Sequence, residues 1–315
     1  MFMNTALRTT LTTLSVPAAL TLSLPAQSDD ATLDFGVPAW PGITVKTEIA
    51  SQLLSPLGYD TRVQSLGMQV IYQGMQSGDV DLFLGAWLPA QEDLYTPRVE
   101  DGSLKRVANN VDGARMTLAV PEYLYEQGIT SFADLDAQRE AFDGEIYGFG
   151  AGSAASEILH QAIDEDAWGL GDWELVDTSV VGMLSAARSA ISREKPIVWV
   201  GWTPHWMNLE LPMRYLEDPN NLFGENNGES EVLTLMRSDY AETHPNLEHF
   251  FTQFTFSADQ QSWMINEYGQ EERDVEDVAQ QWIADHPERI QAMLEGVTDR
   301  DGRPAWPQVQ DALAL

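Results

Sequence analysis

The amino-acid sequence predicts an α/β protein of two lobes, each a sheet flanked by helices, with a cleft between them. Three observations carry that expectation. Strand and helix patterns alternate as β-α-β-α-β from Leu33 to Leu84, the order of a parallel sheet with right-handed crossovers. A second alternating run occupies the chain from about Val120 to Tyr215. One more strand pattern, VLTLMRSDY, then leads back to the first unit. The second lobe is therefore an insertion, and the two crossings between lobes make a hinge. The expected bounds are 31–118 and 216–300 for lobe 1 and 119–215 for lobe 2.

Taken in order, residues 1–26 read as a secretory signal peptide. Arg8 is the only charged side chain before an apolar stretch, Leu14 to Leu24, which Pro17 interrupts and which is too short to span a bilayer. Ala26 follows as a cleavage point. Leu33 to Val37 is a strand. TVKTEIASQLLSPLG is a helix with Val45, Ile49, Leu53 and Leu57 on one face, Thr44 as its N-cap and Gly58 just past its end. TRVQSL alternates in period two, VIYQGMQSG is a helix stopped by Gly78, and Val80 to Leu84 is a strand. Beyond Leu104, GARMTLAVPEYL is a strand that meets Pro121 and is placed to cross between lobes.

In lobe 2, SFADLDAQREAF reads as an acidic helix with Ser131 and Asp134 forming a capping box. EIYGFGAGSAASEILHQAI is strand, glycine turn and helix; LVDTS is a strand and MLSAARSAISREK an amphipathic helix. PIVWVGWTPHWMN holds a short apolar run bounded by Gly and Pro, the pattern of a buried strand. RYLEDPNNLFGENNGESE is a polar loop before the returning strand. The remainder is mostly helical, with starts at Pro245 and Pro287, and residues 301–315 read as a loose tail.

The 315 residues include 17 basic and 49 acidic side chains, a formal net charge of −32, with the acids spread along the chain. That argues against nucleic acid, whose phosphates need a basic patch. It suits a protein kept soluble in a salty medium, where screening removes most of the self-repulsion. Cysteine is absent, which rules out disulfides, thiolate catalysis, Cys-ligated metals and a lipid acceptor at a mature N-terminus. An exported, unanchored, disulfide-free chain fits a Gram-negative periplasm. The histidines have no metal-ligand spacing, and no nucleophile elbow, zinc-protease or P-loop motif occurs. No cofactor and no metal are expected.

The candidate site rests on three tryptophans. Trp40, Trp87 and Trp202 each follow an apolar strand run, where ligands bind in open α/β sheets. One such indole is as readily rim packing as function; three in one slot point to an aromatic cage, and a cage of indoles receives a cation. Each ring offers a quaternary ammonium about 0.5–2 kcal/mol. GFGAGSAAS is a weak match to a dinucleotide turn, a helix N-terminus that holds an anionic group, or plain packing. His205 either lines the cleft or orients the turn after Trp202.

PIVWVGWTPHWMN, LGAWLPAQED and VPAWPGI together resemble the glycine betaine and choline binding proteins of ABC importers, and GLGDWELVDTSVVGML and GVTDRDG extend the likeness over the mature chain. The resemblance implies the type II periplasmic binding protein fold, closing like a flytrap on a trimethylammonium group, with Trp40, Trp87 and Trp202 as the cage. It implies work as a monomer with permease and ATPase subunits at the inner membrane. Choline binders of the family place Asp, Tyr and Asn where this chain has Gly42, Met116 and Ser153. Betaine binders tend to have Met at the position of Met116 and hold the ligand carboxylate on amides at the helix start, here Ser153, Ala154 and Ala155. Glu92 stands where they often have His, as in choline binders, and facing a carboxylate it would repel it. The balance favours glycine betaine or a related onium zwitterion. Choline, carnitine and dimethylsulfoniopropionate stay open within the same role. An exported enzyme acting on such ligands is the rival of another class, and a sensor domain the third.

Overall fold

Two five-stranded sheets, one in each lobe, organise the chain. The computed structural model describes residues 32–150 and 152–315, so the signal peptide expected over residues 1–26 lies outside the described residues. Lobe 1 begins with β1 (Thr32–Val37), α1 (Pro41–Leu54), β2 (Asp60–Ser65), α2 (Met68–Ser77), β3 (Leu82–Leu88), α3 (Glu92–Glu100) and β4 (Leu104–Asn109). A short β5 (Val111–Asp112) leads into lobe 2. There follow β6 (Arg115–Pro121), α4 (Glu122–Glu126), β7 (Glu145–Phe149), α5 (Ala154–Asp164) and β8 (Glu174–Thr178). Lobe 2 ends with α6 (Val180–Ser192), β9 (Trp199–Thr203), α7 (Met207–Glu210) and β10 (Met213–Tyr215). A single turn, α8 (Glu225–Gly228), lies on the way back to β11 (Glu231–Arg237). After it come α9 (Ser238–Thr243), α10 (Pro245–Gln253), β12 (Phe256–Ser257), α11 (Ala258–Ile265), α12 (Val275–Asp285), α13 (Pro287–Met293) and α14 (Ala305–Leu313).

The lobe 1 sheet has the order β2-β1-β3-β11-β4. Its first three strands are parallel, as the β-α-β-α-β pattern predicts, and the returning β11 runs antiparallel to both β3 and β4. The lobe 2 sheet has the order β10-β6-β9-β7-β8, with β7 parallel to β8 and β9 and β6 antiparallel to β9. The two crossings run side by side. Asn110 N–H donates to Val232 O at 2.7 Å, Val232 N–H to Asn109 Oδ1 at 3.1 Å, and Ser230 N–H to Ala114 O at 2.9 Å. The first crossing thus precedes β6. A boundary at 118 cuts a strand that pairs with β9 from Arg115 to Ala119.

Three local expectations need correction. Thr44 is not the N-cap of α1; Trp40 occupies that position, and the Thr44 hydroxyl donates to the Trp40 carbonyl at 3.1 Å. The capping box at Ser131 and Asp134 forms, but it starts 3₁₀ turns over Phe132–Asp134 and Asp136–Gln138. Residues 136–141 are exposed, so no buried face extends a helix beyond its nucleus. Residues 301–315 are no loose tail, because α14 buries Ala305 and Val309, four apart on one face, in the lobe 1 core. The loop before it is pinned by Asp299, whose carboxylate accepts from the backbone N–H groups of Asp301 and Arg303 and from Arg303 Nε.

The seating of α1 on β3 places the first tryptophan. Ile43 of α1 fills the space over Gly85 so closely that a Cβ there would lie 1.8 Å from Ile43 Cδ1. Gly85→Ala is expected to lower stability by about 1–3 kcal/mol through overpacking, read as a reduced urea midpoint with an unchanged slope.

Candidate functional site

Side chains from both lobes close on one apolar cavity. Trp40, at the N-cap of α1, and Trp87, near the end of β3, have ring centroids 5.7 Å apart at 46°. From lobe 2, Phe149 at the end of β7 and Trp202 in β9 lie 4.7 Å apart at 49°. Met116 of β6 stands directly across from Trp202 in the β6–β9 register and so shares its face. These five side chains line a cavity of about 210 Å³. That is below the roughly 300–1,000 Å³ of sites for drug-sized molecules and suits a small ligand. Trp87 and Trp202 occupy the strand-end slot the sequence predicts. Trp40 sits three residues beyond β1, brought in by the helix instead.

The turn after Trp202 is held from several sides. Asn208 Nδ2 donates to Trp202 O at 2.9 Å and to His205 O at 3.0 Å, and Tyr215 OH donates to Asn208 Oδ1. His205 N–H donates to Ser262 Oγ of α11 at 3.0 Å, a direct link between the lobes. The His205 ring lies 4.7 Å from Trp202 and 5.1 Å from Trp206, behind the cavity wall rather than in it. Its Nδ1 accepts from Met207 N–H, which puts the proton of the neutral ring on Nε2. Burial pushes its pKa down to about 3. His205 backs Trp202.

The other expected residues divide. Ser153 is the N-cap of α5: its hydroxyl accepts from Ser156 N–H at 3.2 Å and donates to Phe149 O at 2.8 Å. Its own amide donates to Gly150 O at 2.8 Å, so Ser153 N–H is already engaged. That leaves the amides of Ala154 and Ala155, which head the helix and which the helix itself does not satisfy. Gly42 does not line the cavity; a Cβ on it would meet Gln261 Nε2 at 2.5 Å. Glu92, the first residue of α3, lines a neighbouring cavity of about 350 Å³ with Asp93 and with Glu157 from lobe 2. The two cavities share Trp87 and Met116.

Sequence reasoning missed Phe149 and Lys46. Phe149 ends a strand just before a glycine turn, the slot used to select the tryptophans, and a search for that slot with any aromatic would have found it. Lys46 carries no such signal, since it reads as an ordinary polar position on an amphipathic helix. It is completely buried, and its Nζ donates to Leu84 O at 3.0 Å and Asn110 Oδ1 at 2.5 Å. Desolvation lowers its pKa to about 7.

Two α/β lobes with an apolar cavity lined from both define a substrate-binding protein of the type II periplasmic architecture. The family model OpuAC, the substrate binding domain of ABC-type glycine betaine transport system, matches residues 31–285, and the chain belongs to that family. The fold is similar to an ABC-transporter choline binding protein in complex with choline, with a TM-score of 0.76 and 33% identity, over 90% of this chain and 98% of that one. It is also similar to lactococcal OpuAC in its closed form with glycine betaine, with a TM-score of 0.70 over 83% and 98% of the two chains. At 23% identity that likeness concerns the fold alone. The glycine betaine/carnitine transport binding protein GbuC of Listeria monocytogenes is 30% identical over 176 residues, 55% of this chain and 57% of that protein. No helix among the described residues is long and apolar enough to cross a membrane.

The buried state of His205 has a measurable consequence. Its ring is expected to show no titration by NMR between about pH 5 and 8, whereas the unfolded chain titrates near about 6.5. Protons therefore favour the unfolded chain as pH falls below that value towards 3, and stability is lost on that side only. The gap in urea midpoint between wild type and His205→Gln should narrow as pH falls from about 7 to 4.

Proposed function

We propose that this chain captures a small onium zwitterion, glycine betaine or a near relative, and delivers it to the permease and ATPase subunits of an ABC importer. It does so as a monomer in the periplasm and without chemical conversion of the ligand. The observation that carries the reading is the cavity walled by Trp40, Trp87, Phe149, Trp202 and Met116, with two aromatic rings from each lobe. A trimethylammonium group has no N–H to donate, so hydrogen bonds cannot select it, while the negative faces of aromatic rings can. At about 0.5–2 kcal/mol for each ring, four rings with their apolar contact reach the roughly 8 kcal/mol of a micromolar complex. Ala154 and Ala155 head a helix whose N-terminal dipole and free amides suit a carboxylate. Because the walls come from both lobes, occupancy favours the closed arrangement that a permease can distinguish from the open one.

Choline is the second reading, favoured by a specific observation. Glu92, Asp93 and Glu157 surround the adjoining cavity and favour a net cation over a zwitterion. The choline binding protein at 33% identity points the same way.

Titrating glycine betaine and choline separately in high salt, with tryptophan fluorescence as the readout, separates the two. Saturation by betaine at micromolar levels with little response to choline supports the zwitterion, and the reverse order supports choline. Trp202→Ala and Phe149→Ala should each weaken the better ligand by about tenfold or more. An unchanged affinity in Trp202→Ala would refute the cage.

A further inference from the structure

Lys46 is completely buried, and no carboxylate pairs with it among the described residues. Its Nζ bonds Leu84 O in β3 and Asn110 Oδ1 in the first interlobe crossing. Asn110 Nδ2 donates in turn to Leu84 O at 3.2 Å and to Thr234 Oγ1 at 3.0 Å, in the strand that carries the chain back from lobe 2. The amine therefore joins α1, capped by Trp40, to β3, which carries Trp87, and to the first crossing, and Asn110 extends the link to the returning strand β11. Lysine is almost never fully buried without a charged partner, because a desolvated ammonium is costly. A neutral amine keeps two N–H donors, enough for the two acceptors present.

The charged groups on the surrounding elements are engaged elsewhere or face solvent. Glu48 on α1 accepts from Gln52, Asp81 before β3 pairs with Arg237 of β11, and Glu231 pairs with Arg106. Asp112 of β5, Asp259 of α11, and Glu276, Asp277 and Asp285 of α12 are exposed. Nothing among them neutralises an ammonium at Lys46.

We propose that Lys46 is a positioning residue tying the tryptophan wall of the cage to the interlobe hinge, and that ligand binding and protonation of its amine oppose one another. The inference rests on the onium reading above. Lys46 lies on the helix that Trp40 caps, and its Nζ bonds the carbonyl of Leu84, three residues before Trp87 in β3, so a charge on its amine lies on the lobe 1 side of the cage. Like charges on adjoining elements of a protein interior alter affinity by up to roughly tenfold, and the carboxylate of a zwitterion offsets part of that. Burial holds the amine's pKa at about 7, so the exchange falls in an accessible range. Below that value the amine is charged and the onium is disfavoured; above it the amine is neutral and binding is tighter.

The test compares glycine betaine affinity of wild type and Lys46→Met at about pH 6 and 8.5 in one salt; the ligand keeps one charge state throughout. Wild type should bind up to about tenfold tighter at the higher pH. Lys46→Met should be flat with pH and several-fold weaker than wild type at pH 8.5, since Asn110 Oδ1 loses its donor and the tie from α1 to β3 and the crossing is cut. Retention of the wild-type pH slope in Lys46→Met, or a flat profile in wild type, would overturn the inference. Should Lys46→Met not fold, calorimetry of wild type near pH 7 in buffers of different ionisation enthalpy replaces it. Proton release on binding is then expected, and its absence overturns the inference. Failure of wild type to bind any onium ligand at any pH strikes the onium reading itself, and this inference with it.

Discussion

The contact on which the rest depends is the seating of α1 against β3. Ile43 presses into the space that Gly85 leaves open, and the buried Lys46 amine reaches the carbonyl of Leu84 one residue away. Helix and strand are thereby fixed to one another by packing and by a hydrogen bond. Trp40 at one end and Trp87 at the other have no independent freedom to drift. Their 5.7 Å separation follows from backbone geometry rather than from mutual attraction, which at about 0.5–1.5 kcal/mol is too small to hold two elements in place.

A similar logic operates in lobe 2. Met116 and Trp202 face the cavity together because they are cross-strand partners, and Phe149 joins them because β7 ends beside β9. The His205 ring wedged behind Trp202 is kept neutral by burial, so the wall carries no fixed charge from that side. The cavity is lined by aromatic and apolar side chains in a protein whose net charge is −32. The contrast matters physically. Surface carboxylates are screened by salt over about 8–10 Å, while ring quadrupoles in contact with a ligand are screened much less. Selectivity that resides in the rings survives a saline medium, whereas attraction by the surface does not.

The elements that were readable are those whose apolar pattern is long or sharply punctuated. Val45, Ile49 and Leu53 announced α1, Gly78 ended α2, and Pro245 and Pro287 opened their helices. The segment after Ser131 carried correct capping chemistry but too little buried face to continue, so a local signal was right and the element was short. The C-terminal helix was hidden for the opposite reason. Ala305 and Val309 are weak signals alone and acquire meaning only against a core that other segments build.

The sequence by itself pointed to the two alternating α/β lobes, the return of the chain to the first, and three of the four aromatic rings that line the cavity. Those features are local, because a strand that ends at an aromatic before a turn is written in consecutive residues. Only the tertiary structure placed Phe149 in the cavity wall and His205 behind Trp202. It also showed that Ser153 spends its amide on Gly150 and that Glu92 lines an adjoining cavity. It alone revealed Lys46, whose amine ties one helix to one strand and to the first crossing, with Asn110 carrying the link on to the returning strand. Burial and hydrogen-bond partnership are properties of the assembled chain; no residue's neighbours in sequence encode who will desolvate it.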